Sequence, residues 1–320
     1  MSDPFFDLTE NSTWNACIGV QGHPLHYADG YLEAAIELAD AILQKKLFGK
    51  RDTLVLPILY NARHAVELTQ KFVIATLHQS GALAQSAPID HNIKAHWTRL
   101  NDKAIGDEAL RAAILALEPY VMSLARVDDD GQSLRYAVRQ DGQKSMEDKW
   151  LANILVIRAS LASLDKILSE LKGRVIDYAE ERATGTFTKE CSRKDLFVIA
   201  KALPQKADWH RAEFDVAKEA MQNRFALSGR KFSEAVDVIK ASREMKAIIG
   251  IETPLAYLSD DDLVFVIDQW QRLYPADRVH SPLGTDYFDP VRIEAMVACP
   301  TSTHVSQNGR LEERRVLSSS

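Results

Sequence analysis

The segment around residues 60–71 carries the densest group of side chains with chemical potential. Arg63, Glu67 and Lys71 are spaced at i, i+4 and i+8, so they line one side of a helix, and His64 lies beside them. Two cations flanking a carboxylate would keep Glu67 ionised and bind an anion such as a phosphate. The alternative is an exposed ladder of helix ion pairs, each contributing about 0.3–0.5 kcal/mol. We predict Arg63, His64 and Glu67 as candidate catalytic residues and Lys71 as a candidate binding residue.

The histidines and acidic runs do not follow a metal-binding pattern. His91 and His96 are separated by about 140° on a helix, which suits a shared metal less well than an i, i+4 spacing. We therefore expect His91 near a helix start and Trp97 in the core. The acidic run 128–130 belongs to a glycine-containing turn, and no zinc-protease, EF-hand, phosphate-loop or serine-hydrolase motif occurs. We predict no metal and no cofactor.

Composition narrows the class of protein. The 320 residues are 46% apolar and 26% charged, and 39 basic against 45 acidic residues give a net charge of −6. This balance argues against a protein that coats nucleic acid with a broadly basic surface, and it allows a local basic patch. The three cysteines are too few and too far apart for a disulfide framework. With no signal-peptide pattern and no long apolar stretch, we expect a cytoplasmic protein that does not span a membrane.

The elements that position these residues are helices. Apolar residues recur at intervals of three and four through most of the chain, which predicts an all-α fold. Helices are expected over about 30–47, 53–79, 91–100 and 107–125, with Pro57 tolerable only in a first turn. Alternating apolar residues predict a short hairpin over 134–138. Ser145 and Asp148 form a capping box expected to open a long helix that ends near residue 181.

Further helices are expected in the second half of the chain. They run from a Ser192/Asp195 capping box to Pro204, then over 208–225 and 231–247, and a last one starts at Ser259. Beyond residue 275 the periodicity stops and polar residues dominate. The predicted architecture is a helical bundle over 1–183, a second helical domain over 184–275 and an irregular or disordered tail over 276–320. We expect the tail to be dispensable for folding.

The segment 51–77 resembles the second helix of prokaryotic HEPN-like proteins, which carry an aromatic-x-x-Arg-His-x-x-Glu-Leu-x-x-Lys pattern. The matching positions are Tyr60, Arg63, His64, Glu67, Leu68 and Lys71. Two shorter resemblances follow in the expected order. His91 with Trp97 is similar to a His-x5-Trp helix, and 134–136 is similar to an aromatic-Arg-Tyr segment, with leucine in the aromatic position. The resemblance spans roughly residues 15 to 182, and 184–275 resemble no named domain.

The resemblance implies a four- or five-helix bundle of a family whose members often dimerise. Many members are metal-independent RNases or toxins of defence and toxin–antitoxin systems. On this basis we expect a bacterial HEPN-like protein that binds RNA or a nucleotide, with His91, Arg135 and Tyr136 as further binding residues. The family's Arg-x4–6-His signature is absent, because no histidine follows an arginine at that distance. Nuclease activity therefore does not follow from the resemblance.

A second function stays open at the level of the sequence. A catalytically inactive helical adaptor would use the bundle to dimerise and residues 184–275 to hold a protein partner. The long helix favours a homodimer, since its apolar residues occupy more than one stripe. The two functions are distinguished by whether Arg63 and Glu67 converge with His91 and Arg135 or point separately into solvent.

Overall fold

A computed structural model describes residues 3, 5–8, 12–16, 19, 22–86, 90–101, 105–138, 142, 144–145, 151–253 and 257–273. Within these ranges the regular structure is helical and contains no β-strand, which confirms the predicted all-α class. The helices are α1 (Pro24–Gln44), α2 (Arg51–Gln79), α3 (Ile93–Leu100), α4 (Glu108–Val127), α5 (Ile154–Ala183), α6 (Arg193–Ala202), α7 (Ala212–Phe225), α8 (Gly229–Ala241), α9 (Arg243–Ile248) and α10 (Asp260–Leu273). None of these helices combines the length and the apolar character needed to cross a membrane.

The long helix α5 begins later than the sequence predicted. Its first residue is Ile154, and the Oδ1 atom of Asn153 caps it by accepting the Leu155 N–H at 2.9 Å. Ser145 lies in a turn before the helix, and Asp148 lies outside the described residues. An asparagine with extended backbone geometry satisfies the first N–H groups of a helix. The predicted helix start at Ser145 is therefore wrong.

Among the described residues, the hairpin predicted over 134–138 is reduced to a turn followed by one antiparallel bridge, between Val138 and Lys144. The Asp128 carboxylate accepts the backbone N–H groups of Ser133 at 3.1 Å and of the following residue at 3.2 Å. Because these N–H groups bond to one side chain, they are not available to a strand ladder.

Pro57 lies inside α2 and not in its first turn, contrary to the sequence expectation. Pro57 is the seventh residue of the helix, where another residue would donate its N–H to the carbonyl of Thr53. Both Pro57 and Thr53 are exposed. Water can satisfy this carbonyl, which is why the helix accommodates a proline here.

Capping residues divide the second half of the chain into short helices. The predicted capping box at the start of α6 is confirmed, because Ser192 Oγ accepts the Asp195 N–H at 3.1 Å and the Asp195 carboxylate accepts the Ser192 N–H at 3.3 Å. The predicted helix over 231–247 is two helices, α8 and α9. Ser242 separates them with an extended backbone (ψ 124°), and its hydroxyl accepts the Met245 N–H.

Two hydrophobic clusters form the core of residues 1–251, which make one compact unit. Helices α1 to α5 form the first cluster, in which α2 packs against α1, α3 and α5. Its fully buried residues include Ala35, Ile58, Val66, Val73, Leu110, Leu117 and Leu171. The second lies among α6 to α9 and includes Leu196, Ile199, Ala235, Ile239 and Met245. The chain passes from the first cluster to the second between α5 and α6. The domain boundary at residue 183 stays a prediction. Helix α10 belongs to a separate unit, residues 252–320.

A buried ion-pair network joins the two clusters. The Arg174 guanidinium of α5 donates to both oxygens of Asp107, at 3.0 and 2.5 Å, to Glu181 at 2.7 Å and to Ser192 Oγ at 3.4 Å. Burial alone would raise the pKa of Asp107, but the hydrogen bonds and charge of Arg174 hold it below its ordinary value. Burial, together with the charge of Asp107, raises the pKa of the neighbouring Asp195 to about 6.

Candidate functional site

Arg63 lies near the middle of α2, and only 1% of its side chain is exposed. Its Nε donates to the Asp128 carbonyl at 2.7 Å, and its Nη2 donates to the carbonyls of His91 at 2.6 Å and Asp129 at 3.1 Å. Its Nη1 donates to the Glu67 carboxylate at 2.9 Å. All three guanidinium nitrogens are therefore occupied inside the protein. Arg63 fastens α2 to the turn after α4 and to the start of α3, and it is too buried to contact a ligand directly.

Glu67 is the second buried member of the motif, with 2% of its side chain exposed. Its Oε1 accepts hydrogen bonds from Lys71 Nζ at 2.8 Å and from His91 Nδ1 at 2.7 Å, and its Oε2 accepts from Arg63. Burial would raise the pKa of this carboxyl group, but the three hydrogen bonds outweigh burial and lower the pKa from 4.5 to about 2. The exposed ladder of ion pairs is thus wrong for Arg63 and Glu67, because both belong to a buried network.

His64 presents an aromatic ring to the surface and not a charge. Its ring meets the Tyr31 ring edge-on, with centroids 4.5 Å apart, and stacks on Tyr60 at 5.7 Å with an interplanar angle of 9°. Burial lowers the pKa of His64, so the ring is neutral near pH 7. Its Nδ1 is 4.0 Å from Glu67 Oε2, which is too far for a hydrogen bond. A catalytic role for His64 stays a prediction.

Arg135 and Tyr136 lie on the turn that follows α4, and both are exposed. The guanidinium carbon of Arg135 is 5.9 Å from the centroid of Tyr60 and 5.2 Å from that of Tyr136, and its Nε donates to the Gly131 carbonyl at 2.5 Å. Gly131 has a positive φ of 80°, and a Cβ at this position would lie 3.2 Å from Arg63 Nη1. The turn that carries Arg135 therefore rests directly on the buried guanidinium.

His91 connects the buried network to the surface. Its side chain is 57% exposed, its Nδ1 contacts Glu67, and its backbone carbonyl accepts from Arg63. When the imidazole is neutral, the carboxylate holds the proton on Nδ1 and leaves Nε2 as the acceptor. This Nε2 has no partner among the residues described. His91 is therefore a surface imidazole whose orientation is set by the buried Glu67 carboxylate.

The structure brings all the predicted site residues to one place, in two layers. The inner layer is Arg63 with Glu67. The outer layer, which we term the aromatic–basic patch, consists of Tyr60, His64, Lys71, His91, Arg135 and Tyr136. Sequence reasoning missed Tyr60 as a surface contributor, Tyr31 beside His64, and Asp128 as a partner of Arg63. For Asp128 the signal of a turn was visible, but nothing indicated that its carbonyl faces an arginine of α2.

The remaining histidine and tryptophan of this region are structural. His96 is fully buried, its Nε2 lies 3.0 Å from Asp90 Oδ1, and burial lowers its pKa. Trp97 donates from Nε1 to the Ile114 carbonyl at 2.8 Å and packs in the first cluster, which confirms its predicted core position. Among the described residues no group of three or more His, Cys, Asp or Glu side chains is arranged to hold a metal ion.

The chain was compared with protein-family models, with curated proteins and with solved structures, and none of the three comparisons finds a match. The resemblance to HEPN-like proteins therefore rests on the sequence motifs alone and stays a prediction.

Proposed function

We propose that this protein binds single-stranded RNA through the aromatic–basic patch. The observation that carries the proposal is the placement of the Arg135 guanidinium beside two tyrosine rings, one of which stacks on the neutral ring of His64. Single-stranded RNA is bound by surfaces that offer aromatic faces to the bases and cations to the phosphates. The patch offers both kinds of group.

The charges of the patch support a phosphate ligand. Lys71 and Arg135 supply its positive groups, while the nearby carboxylate of Glu67 is buried and fully hydrogen-bonded. Glu67 therefore orients Lys71 and His91 and presents no negative oxygen to an incoming phosphate. Since the chain as a whole carries a net charge of −6, RNA binding depends on a local group of cations such as this one.

In this binding surface the residues predicted to be catalytic have other roles. Arg63 and Glu67 are positioning residues, because they hold His91, Lys71 and the turn of Arg135 without reaching the surface. His91 is the group best oriented to move a proton, through its unpartnered Nε2. The resemblance to HEPN-like proteins supports the same ligand class and a role in a bacterial defence or toxin–antitoxin type system. The absent Arg-x4–6-His signature leaves cleavage outside the proposal.

The test measures RNA binding by fluorescence anisotropy with a labelled single strand of about 12 nucleotides, at about 0.1 M salt. Arg135→Gln and Tyr136→Ala should each weaken binding about tenfold, which corresponds to about 1.4 kcal/mol, the size of one lost phosphate or stacking contact. The matched controls are Arg126→Gln, an exposed arginine of α4, and Phe48→Ala, an exposed aromatic residue before α2. Both controls should bind RNA like the wild type.

No measurable RNA binding by the wild-type protein would end the proposal. Equal weakening by the patch variants and by the controls would show that RNA binds elsewhere on the surface. A denaturing gel of the same mixtures reports whether the strand is cleaved, and His91→Ala identifies whether any cleavage depends on the patch.

A second candidate function is the inactive helical adaptor. It is favoured by the saturated hydrogen bonding of Arg63 and Glu67, which matches a purely structural brace. Leu155 and Val156 near the start of α5 are 65% and 63% exposed and would supply a dimer contact. In this case light scattering should show a dimer that Leu155→Glu dissociates, with no RNA binding. A wild-type monomer at micromolar concentration would rule the dimer out.

A further inference from the structure

A second site is indicated by a cavity of about 670 Å³ beside α4. Its wall is built from α4, from the end of α3, from residues 189–190 and from the end of α7 with the start of α8. Its lining includes Arg111, Leu115, Lys189, Arg224, Phe225 and Lys231. A volume of this size suits a small organic molecule.

Two of the four cations around the cavity are paired with carboxylates. Arg224 of α7 lies 2.8 Å from Glu108, and Lys231 of α8 lies 2.6 Å from Glu190. These pairs fasten the second cluster to α4 and to the loop before α6.

The other two cations, Arg111 and Lys189, make no ion pair with any residue that the structure describes. Arg111 is partly buried, and its Nη1 donates to the Ile105 carbonyl at 2.7 Å. Lys189 is exposed at the rim. The charge of Arg111 acts on the carboxyl groups of Glu108 and Asp195 without forming an ion pair with either, and an anion in the cavity would supply a direct partner.

The floor of the cavity is apolar. Ile114 and Phe225 are buried beneath it, and Leu115 presents a half-exposed side chain to it, with 51% of its surface accessible. Ala226 ends α7 with a positive φ of 53° and so turns the chain along the wall. The cavity therefore combines an excess of positive charge with an apolar surface.

We infer that this cavity binds a small organic anion, one that carries a phosphate or carboxylate group on an apolar body. Arg111 and Lys189 contact the anionic group, and Leu115 contacts the apolar body. Arginine is suited to this role because its planar fork of N–H donors matches both carboxylate and phosphate oxygens. The site is separate from the aromatic–basic patch, so it does not depend on RNA binding.

The experiment is isothermal titration of the full chain with phenyl phosphate, decanoate and inorganic phosphate at constant ionic strength. Phenyl phosphate or decanoate should bind at one site, about tenfold or more tightly than inorganic phosphate, because only the first two have an apolar body. Benzoate, which shares the phenyl ring of phenyl phosphate, is the comparison that identifies the anionic group. Leu115→Glu should weaken this binding about tenfold or more, and Lys189→Gln should weaken it about threefold to tenfold.

The matched controls have the same substitutions at exposed positions away from the cavity, Val216→Glu on α7 and Lys201→Gln on α6. They should bind the probes like the wild type. Both cavity positions are accessible to solvent, so the variants should fold, which a thermal melt checks. Absence of saturable binding, equal weakening by the controls, or inorganic phosphate binding as tightly as the organic anions would each overturn the inference.

Discussion

Replacing Arg63 tests whether the motif of α2 is a buried brace or an exposed ladder. Arg63→Leu removes the guanidinium and keeps a side chain of helix-compatible shape. It breaks the ion pair with Glu67 and removes the donor from the carbonyls of His91, Asp128 and Asp129. Lys71 and His91 remain to stabilise the Glu67 carboxylate.

The expected cost is large because Arg63, Glu67 and Asp128 are buried. Breaking a buried ion pair costs about 3–5 kcal/mol, and leaving the buried Asp128 carbonyl without a donor adds about 1 kcal/mol. Burial of the new apolar side chain offsets part of this, so we expect a net loss of about 4 kcal/mol. For a unit of about 250 residues this lowers the melting temperature by about 8–16 °C. Arg63→Lys keeps the charge but not the fork of donors, and should lose about half as much.

The assay is urea unfolding followed by circular dichroism, with thermal melts as a second measurement. Arg51→Ala is the matched control, because Arg51 belongs to the same helix, is 56% exposed and pairs only with its neighbour Asp52. It should change the free energy of unfolding by less than about 0.5 kcal/mol. A loss below about 1 kcal/mol for Arg63→Leu would refute the buried brace.

Three further predictions concern the buried acids and one close backbone approach. Because the pKa of Glu67 is about 2 in the folded state, the Glu67 network contributes about 3 kcal/mol to the free energy of unfolding above pH 4.5, and this contribution is lost as the pH falls toward 2. The acid unfolding of Glu67→Gln should lack this dependence on pH. The raised pKa of Asp195 has the opposite effect: the free energy of unfolding of the wild type should fall by about 3 kcal/mol as the pH rises from about 4 to 6. In urea unfolding, Asp195→Asn should lack this fall. Parallel curves for the two proteins would contradict the prediction. A Cβ at Gly106 would approach the Lys189 carbonyl to 2.2 Å, so Gly106→Ala should lower the free energy of unfolding by about 2–3 kcal/mol; a wild-type melting temperature would show that the loop yields.

Structural features that depend on residues close together in the sequence were predictable. The apolar periodicity predicted the helices, and the Ser192/Asp195 pair predicted the start of α6, because a capping box forms among residues three positions apart. The same local logic failed at Ser145, where an equally good pattern occurs and a later asparagine caps the helix. Local patterns show where a cap is possible, and tertiary packing selects among the possibilities.

The burial of Arg63 was not predictable from its spacing with Glu67 and Lys71, because the same i, i+4 pattern occurs on exposed helices. The partners that bury its guanidinium are backbone carbonyls 28 to 66 residues away in the sequence. Every residue has a backbone carbonyl, so the type of residue does not indicate such a partner. The junction of Arg174 with Asp107 escaped prediction for a related reason, since its members are 67 residues apart. The sequence indicated which side chains lie near one another around α2 but not which of them are buried.

The carbonyl partners of Arg63 have a consequence for the order in which the protein folds. Helix α2 can form early from local contacts, but its central guanidinium then has only Glu67 as a neighbour on the same helix. Water must hydrate this charge until the turn after α4 and the start of α3 arrive together, because either segment alone satisfies only some of the nitrogens. Closure of this part of the bundle is thus a late and concerted step, and variants of Arg63 should accelerate unfolding more than they slow folding.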